Sequence, residues 1–215
     1  MVTNQKVRSE YYMACADKII AAMQTRQMEC IYFEKKKDML EYLEATIPAK
    51  ATASWGGSMS LYESGVIDLL RGGLCKIIDR DSAKTPEEAH KCMHQAFNAD
   101  YYFLSANAIT MDGKLVNIDG NGNRVAALIY GPKTVYVVAG MNKVVKDEDA
   151  AMDRIKNMAA PMNAMRLKTG APCIKTGNCM HCKGSGTICC HTVITRYSRH
   201  PGRIKVLLVG EELGY

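Results

Sequence analysis

Lys50-Ala51-Thr52-Ala53-Ser54-Trp55-Gly56-Gly57-Ser58-Met59-Ser60 decides the fold. A short extended run ends in two glycines and two hydroxyl residues, and a helical pattern then runs from Ser60 to about Arg71. The order strand, glycine turn, helix leaves the backbone N–H groups of the turn facing outward, where a carboxylate or phosphate can dock. A plain glycine turn with a serine cap accounts for the same residues without a ligand. The pattern is neither a Walker A loop nor Gly-x-Gly-x-x-Gly.

The alternation extends in both directions. Tyr12, Cys15, Ile19, Ile20 and Met23 recur at helical spacing and predict a long amphipathic helix over 4–28. A strand at Glu29 to Phe33, a helix near Lys36 to Thr46, a strand at Cys75 to Asp79 and a helix near Pro86 to Asn98 follow. This predicts an α/β fold, a mostly parallel sheet with covering helices. Two strand-like runs, 101–110 and 114–119, then flank Met111-Asp112-Gly113, and Asp-Gly is the mark of a type I′ hairpin turn. A hairpin meander is therefore expected to interrupt the parallel pattern. Residues 125–130 and 134–138 read as further strands, 148–159 as a helix stopping before Pro161, and Ile204 to Val209 as the last strand.

With 215 residues, one α/β domain over 1–215 is expected. The last strand lies beyond a cysteine-rich loop at 170–192, which makes that loop an excursion from the rim. No run of about 18 apolar residues exists, and 1–26 lacks an apolar leader core, so the reading is a cytoplasmic chain without a membrane partner. In that reducing setting Cys15, Cys30, Cys75 and Cys92 read as buried small hydrophobes and the 14 methionines as core fillers.

Polar residues gather at the ends of predicted strands: Asn107, then Asn117-Ile118-Asp119-Gly120-Asn121-Gly122-Asn123-Arg124, then Asn142-Lys143. Asn121-Gly122 is ordinary turn chemistry. Asp119, Asn123 and Arg124 together offer acceptor, dual and bidentate-donor groups on one short loop. Asp119 is the candidate base or orienter, with Arg124 and Lys143 holding a carboxylate. Gly56, Gly57, Ser58, Asn107, Asn117, Gly120, Asn123 and Asn142 form the candidate ligand rim. The expected site is one cleft shared by the Gly57–Met59 N–H groups with Asn117, Asp119 and Arg124. Glu63 either faces that cradle or serves as a partner of the helix dipole.

Five of the nine cysteines fall between Cys173 and Cys190. Cys179-Met180-His181-Cys182 is a Cys-x2-Cys knuckle, and Cys173 and Cys189 complete a four-thiolate set suited to zinc or to an iron–sulfur cluster. The spacing does not choose between them. His181 and His191 are substitute ligands, Cys190 is a spare, and unligated thiols or a disulfide are the alternatives. From Arg154 to Gly210 there are ten Lys or Arg and no acid. The chain carries +6 overall, so the remainder carries −4 (+6 less +10). Such a surplus offsets a thiolate shell, or faces an anionic ligand or partner. Tyr197 is the only aromatic residue in the stretch and no DNA- or RNA-binding signature occurs, so nucleic acid is set aside.

Ser54–Leu61, Ser105–Gly113, Val116–Ala126 and Gly131–Lys143 together resemble, in that order, motifs of the lactate-utilisation (LUD) domain family; the likeness spans about residues 5–215, in its short stand-alone form with a C-terminal cysteine cluster. The resemblance implies a fold like that of ribose-5-phosphate isomerases and CoA transferases. It also implies a link to oxidation of lactate or another hydroxy acid alongside iron–sulfur proteins, hence a redox protein partner. A non-catalytic sensor or assembly factor for a redox complex, and a phosphosugar- or CoA-dependent enzyme, are the other roles it suggests. No glutamate nucleophile or isomerase base pair of those enzymes maps onto this chain.

Overall fold

The structure, a computed structural model, describes residues 4–215; residues 1–3 of the expected domain lie outside them. Helix α1 (Asn4–Gln24) leads into β1 (Glu29–Phe33), α2 (Lys36–Thr46) and β2 (Thr52–Trp55). After β2 come α3 (Met59–Glu63) and α4 (Val66–Leu69), then β3 (Lys76–Ile78), α5 (Pro86–Gln95) and β4 (Tyr101–Leu104). The expected Ser60–Arg71 helix is broken at Gly65, whose φ of +84° only glycine adopts freely.

Two further strands, β5 (Ala108–Thr110) and β6 (Leu115–Asp119), precede α6 (Asn123–Ile129). Then follow β7 (Thr134–Gly140), β8 (Val144–Val145), α7 (Glu148–Arg154), α8 (Ala160–Leu167), α9 (Cys173–Thr176), β9 (His191–Thr195) and β10 (Ile204–Val209). Six strands form a wholly parallel sheet in the order β1-β10-β7-β4-β2-β3. The central strands β7 and β10 are apolar on both faces because helices cover both. Val135, Val137 and Ala139 join Ile19 and Met23 of α1 on one face. Tyr136 and Val138 join Leu43 of α2 and Leu61 and Ile67 of α3 and α4 on the other.

The hairpin does not interrupt this sheet. It builds a second one, β8-β5-β6-β9, in which β6 lies antiparallel to both β5 and β9 and β5 runs parallel to β8. The turn is also not type I′. Gly113 alone takes positive φ (+82°) and its N–H bonds Thr110 O at 2.8 Å, the three-residue loop with a left-handed glycine. Residues 125–130, read as a strand, are mostly helix α6: a short apolar run looks alike in either state. Arg203 holds that helix's end by donating to the carbonyls of Ala127 and Leu128. The expected stop before Pro161 also fails. A π-helical stretch, Ile155–Ala159, joins α7 to α8 and lets Pro161 sit in the first turn of α8.

Strand β9 went unread, hidden among the cysteines and basic residues. Met23, Met28 and Met39 do fill the core, whereas Met13, Met158, Met162 and Met165 are exposed. No helix of the described residues is long and apolar enough to cross a membrane.

Candidate functional site

The chain leaves β2 across the face covered by α3 and α4, and leaves β4 toward the opposite face, where Ala127 and Leu128 of α6 pack. Adjacent parallel strands whose connections part in this way open a crevice at their carboxyl ends, where α/β sheets bind ligands. A cavity of about 350 Å³ lies there.

Eight of the sequence-predicted residues line it: Gly57, Ser58, Asn107, Asp119, Gly120, Asn123, Arg124 and Lys143. The cavity brings Gly57, Ser58 and Met59 together with Asp119 and Arg124, but not with Asn117. Gly56, Asn117 and Asn142 stand behind it. A methyl group on Gly56 would lie 2.8 Å from Cγ of Arg124, so glycine there gives the arginine its path. Asn117 is fully buried and accepts a 2.7 Å hydrogen bond from Arg124. Asn142 pins the chain near Tyr215, donating to Gly214 O and accepting from the Leu213 N–H. Glu63 accepts from the Gly214 N–H at 2.5 Å, so it serves this tail rather than the cradle.

Arg124 was expected to grip a substrate carboxylate, but protein groups already occupy its guanidinium. Nη1 donates to Ser105 O and Asn117 Oδ1, Nη2 to Ile118 O and Asn107 Oδ1, and Nε stands 3.2 Å from Asp119 Oδ2. Burial lowers its pKa, and the Asp119 charge opposes that shift. Arg124 therefore organises the cavity wall. Asp119 is 8% exposed; Oδ1 accepts from the Gly122 N–H at 2.8 Å, while Oδ2 accepts no hydrogen bond, its contact with Arg124 being an ion pair of poor hydrogen-bond geometry. That oxygen is sealed from solvent and meets the Arg124 charge alone.

Lys143 is 3% exposed and donates to Ser60 Oγ at 2.7 Å and Ser105 Oγ at 3.1 Å. Burial first, and then the charges of Arg154 and Arg124, bring its pKa down to about 7, against the pull of Glu63. Among the described residues no carboxylate pairs with it.

Arg80, Arg166 and Tyr215 also line the cavity and were not read from the sequence. Trp55 Nε1 and the Tyr62 hydroxyl both donate to Asp81 Oδ2, which fixes the turn that carries Arg80; a methyl on Gly57 would come within 3.0 Å of Arg80 Nη2. Arg166 belongs to the acid-free stretch, the one signal that pointed its way, and its Nε donates to the Tyr215 hydroxyl at 2.7 Å. Among the described residues the N–H groups of Gly57 and Ser58 meet no protein acceptor. Helix α3 is too short for its dipole to add much.

The cysteine loop forms part of the cavity wall through Thr187, Ile188 and Cys190. The Cys190 N–H donates to Asp119 O at 3.1 Å and the backbone of Ile188 rests on Gly120. All nine cysteines are free thiols. Within Cys179–Cys182, His181 takes positive φ (49°) and its N–H points at Cys179 Sγ from 3.4 Å. Cys189 is raised to about 11 by burial and then by the charges of Cys179, Cys173 and Cys182; Cys173 is raised by burial and then by Cys182. The four thiols share one loop, and the charge of their neighbours reaches Cys173 and Cys189. They do not close: among the described residues no three His, Cys, Asp or Glu side chains stand in an arrangement that could hold a metal ion.

Fold and cleft together define an α/β protein with a polar crevice at the carboxyl ends of its parallel strands. The LUD domain family model matches residues 16–209, and the chain belongs to that family. It is similar in fold to a DUF162 family protein from Deinococcus radiodurans, with a TM-score of 0.51 at 12% identity, over 93% of this chain and 98% of that one. Comparison with curated proteins gives no match.

Proposed function

We propose that this LUD-domain protein binds a small organic anion, a hydroxy or keto acid, in the cavity at the ends of β2, β4 and β7. One observation carries the reading: the guanidinium groups of Arg80 and Arg166 share one cavity with the unspent backbone N–H groups of Gly57 and Ser58. Cations and N–H groups take the acid, and the Asp119 carboxylate, which lines the same cavity, takes a hydroxyl proton. The volume, near the lower end for ligand pockets, favours such an acid over a CoA-sized molecule. The family's link to lactate points the same way. A thermal-shift and calorimetric screen of lactate, pyruvate, sugar phosphates and CoA tests this. A shift with the small acids, weakened about tenfold or more by Arg80→Gln, is expected; a response to CoA alone would overturn it.

Cys173, Cys179, Cys182 and Cys189 are proposed to hold zinc or an iron–sulfur cluster in a cytosolic, reducing setting. When bound, an iron–sulfur cluster supplies electron transfer to a redox partner, whereas zinc supplies structure alone. Iron and zinc analysis of anaerobically prepared protein separates the two.

A second reading, a ligand sensor or assembly factor, draws on the cysteine loop's place in the cavity wall. There, metal and ligand would each change the other's affinity by the same factor.

A further inference from the structure

Lys143 is a costly residue for its place. It is buried at the turn after β7, its amine meets only two hydroxyls, and the nearby Arg154 and Arg124 repel its charge. Both serines spend their own hydrogens on carbonyls, Ser60 on Leu213 O at 3.0 Å and Ser105 on Ala106 O at 3.3 Å. Each therefore accepts from the amine. A neutral amine has two hydrogens and one lone pair, and with both hydrogens held by Ser60 and Ser105 the lone pair is left for the cavity that Lys143 lines.

We propose that Lys143 is a nucleophile that forms an imine with a small keto acid bound in this cavity. The proposal rests on the anion-binding reading above and names its substrate class: a carbonyl compound, for the amine to attack, that carries a carboxylate for Arg80 and Arg166 to hold.

Nζ adds to the carbonyl carbon, and the C=O π pair moves to oxygen. One proton leaves nitrogen and reaches that oxygen, giving the carbinolamine. The nitrogen lone pair then forms C=N as the C–O bond breaks, and the oxygen leaves as water with the second nitrogen proton. Amine and keto acid become imine and water, with no oxidant or reductant. The hydroxyls of Ser60 and Ser105, each hydrogen-bonded to the amine, are the groups to relay those protons. Burial and two neighbouring arginines keep the amine uncharged to a useful extent near neutral pH, the condition such a nucleophile needs.

Borohydride treatment of the full chain with pyruvate reduces any imine to a stable secondary amine. Intact-mass and peptide-mass analysis should then find one adduct on Lys143, its mass gain equal to the keto acid less one oxygen atom. Lys143→Met should abolish it, and acetone, which lacks the carboxylate, should give none. Because the adduct is mapped on the unaltered chain, the result does not depend on whether the variant folds. A pyruvate-induced thermal shift without the Lys143 adduct would overturn this inference and leave anion binding intact. Equal labelling of surface lysines by pyruvate and acetone would also overturn it. Absence of both shift and adduct, with no response to the other small acids, would overturn the two readings together.

Discussion

The cavity has two walls of opposite construction. One rises from β4, β6 and α6 around Arg124, whose buried guanidinium meets four carbonyl and amide oxygens and the Asp119 carboxylate. The other is residues 187–190 of the cysteine loop, with Cys190 exposed and one backbone hydrogen bond from Cys190 to Asp119. The first is set by the fold itself, so its geometry exists before any ligand arrives. With the proposed four-thiolate centre, the second depends on what the thiols bind. A site half preformed and half conditional can couple ligand binding to the state of the cysteines without any movement of the central sheet.

The largest effect expected falls on the preformed wall. Arg124→Met would leave Ser105 O, Ile118 O and Asn117 buried without their donor and the Asp119 carboxylate without its counter-charge, at a cost of about 3–5 kcal/mol. Urea denaturation measures it. A loss below about 1 kcal/mol would mean that other donors replace the guanidinium and that the wall is not built as described.

Lys143 comes next. Its folded-state pKa, about 7, lies below the ordinary lysine value of 10.5, so between those limits the unfolded chain binds more protons than the native one. Stability should therefore rise with pH across that window, by up to about 1.4 kcal/mol per pH unit from this group. The gain is complete above the unfolded value and is lost as pH falls through about 7. The groups acting on it are Arg154, Arg124 and Glu63, so the slope present in the native sequence and missing in Lys143→Met isolates the amine. Equal slopes would show that Lys143 stays charged throughout.

Gly56→Ala tests the same wall more gently. The added methyl meets Arg124 Cγ at 2.8 Å and the Tyr102 hydroxyl at 3.1 Å, and displacing either costs about 1–3 kcal/mol. Chemical denaturation beside Gly72→Ala, where nothing lies within 4 Å, provides the contrast. Equal losses in the two variants would show that the arginine's path is not constrained.

What the sequence disclosed follows this division. The parallel sheet was legible because helix and strand periods alternate cleanly up to Asn98, and the rim residues because glycines and polar side chains fall at strand ends. Arg124 was legible as a site residue but not in its role, since a sequence does not count the acceptors around a guanidinium. Arg80 was not legible: in Asp79-Arg80-Asp81 it reads as a solvated charge run, and only folding brings it over Gly57. Strand β9 and helix α6 escaped because each is short and its neighbours in space, β6 for the one and Arg203 for the other, are distant in the chain.

The smallest effect on the fold belongs to the conditional wall. In metal-free protein Cys182→Ser and Cys190→Ser should each shift stability by less than about 0.5 kcal/mol, since both thiols lie in a surface loop rather than the core. Metal should separate them. With zinc or iron supplied anaerobically, the native sequence and Cys190→Ser should take up one centre and melt at a higher temperature, because a ligand bound only by the folded state stabilises it. Cys182→Ser, lacking one arm of the knuckle, should do neither. If its melting temperature rises with metal as the native chain's does, the four-thiolate assignment fails. If Cys190→Ser instead loses the metal, the ligand set includes the thiol that lines the cavity, and the two walls are joined more directly than through the Cys190 to Asp119 hydrogen bond.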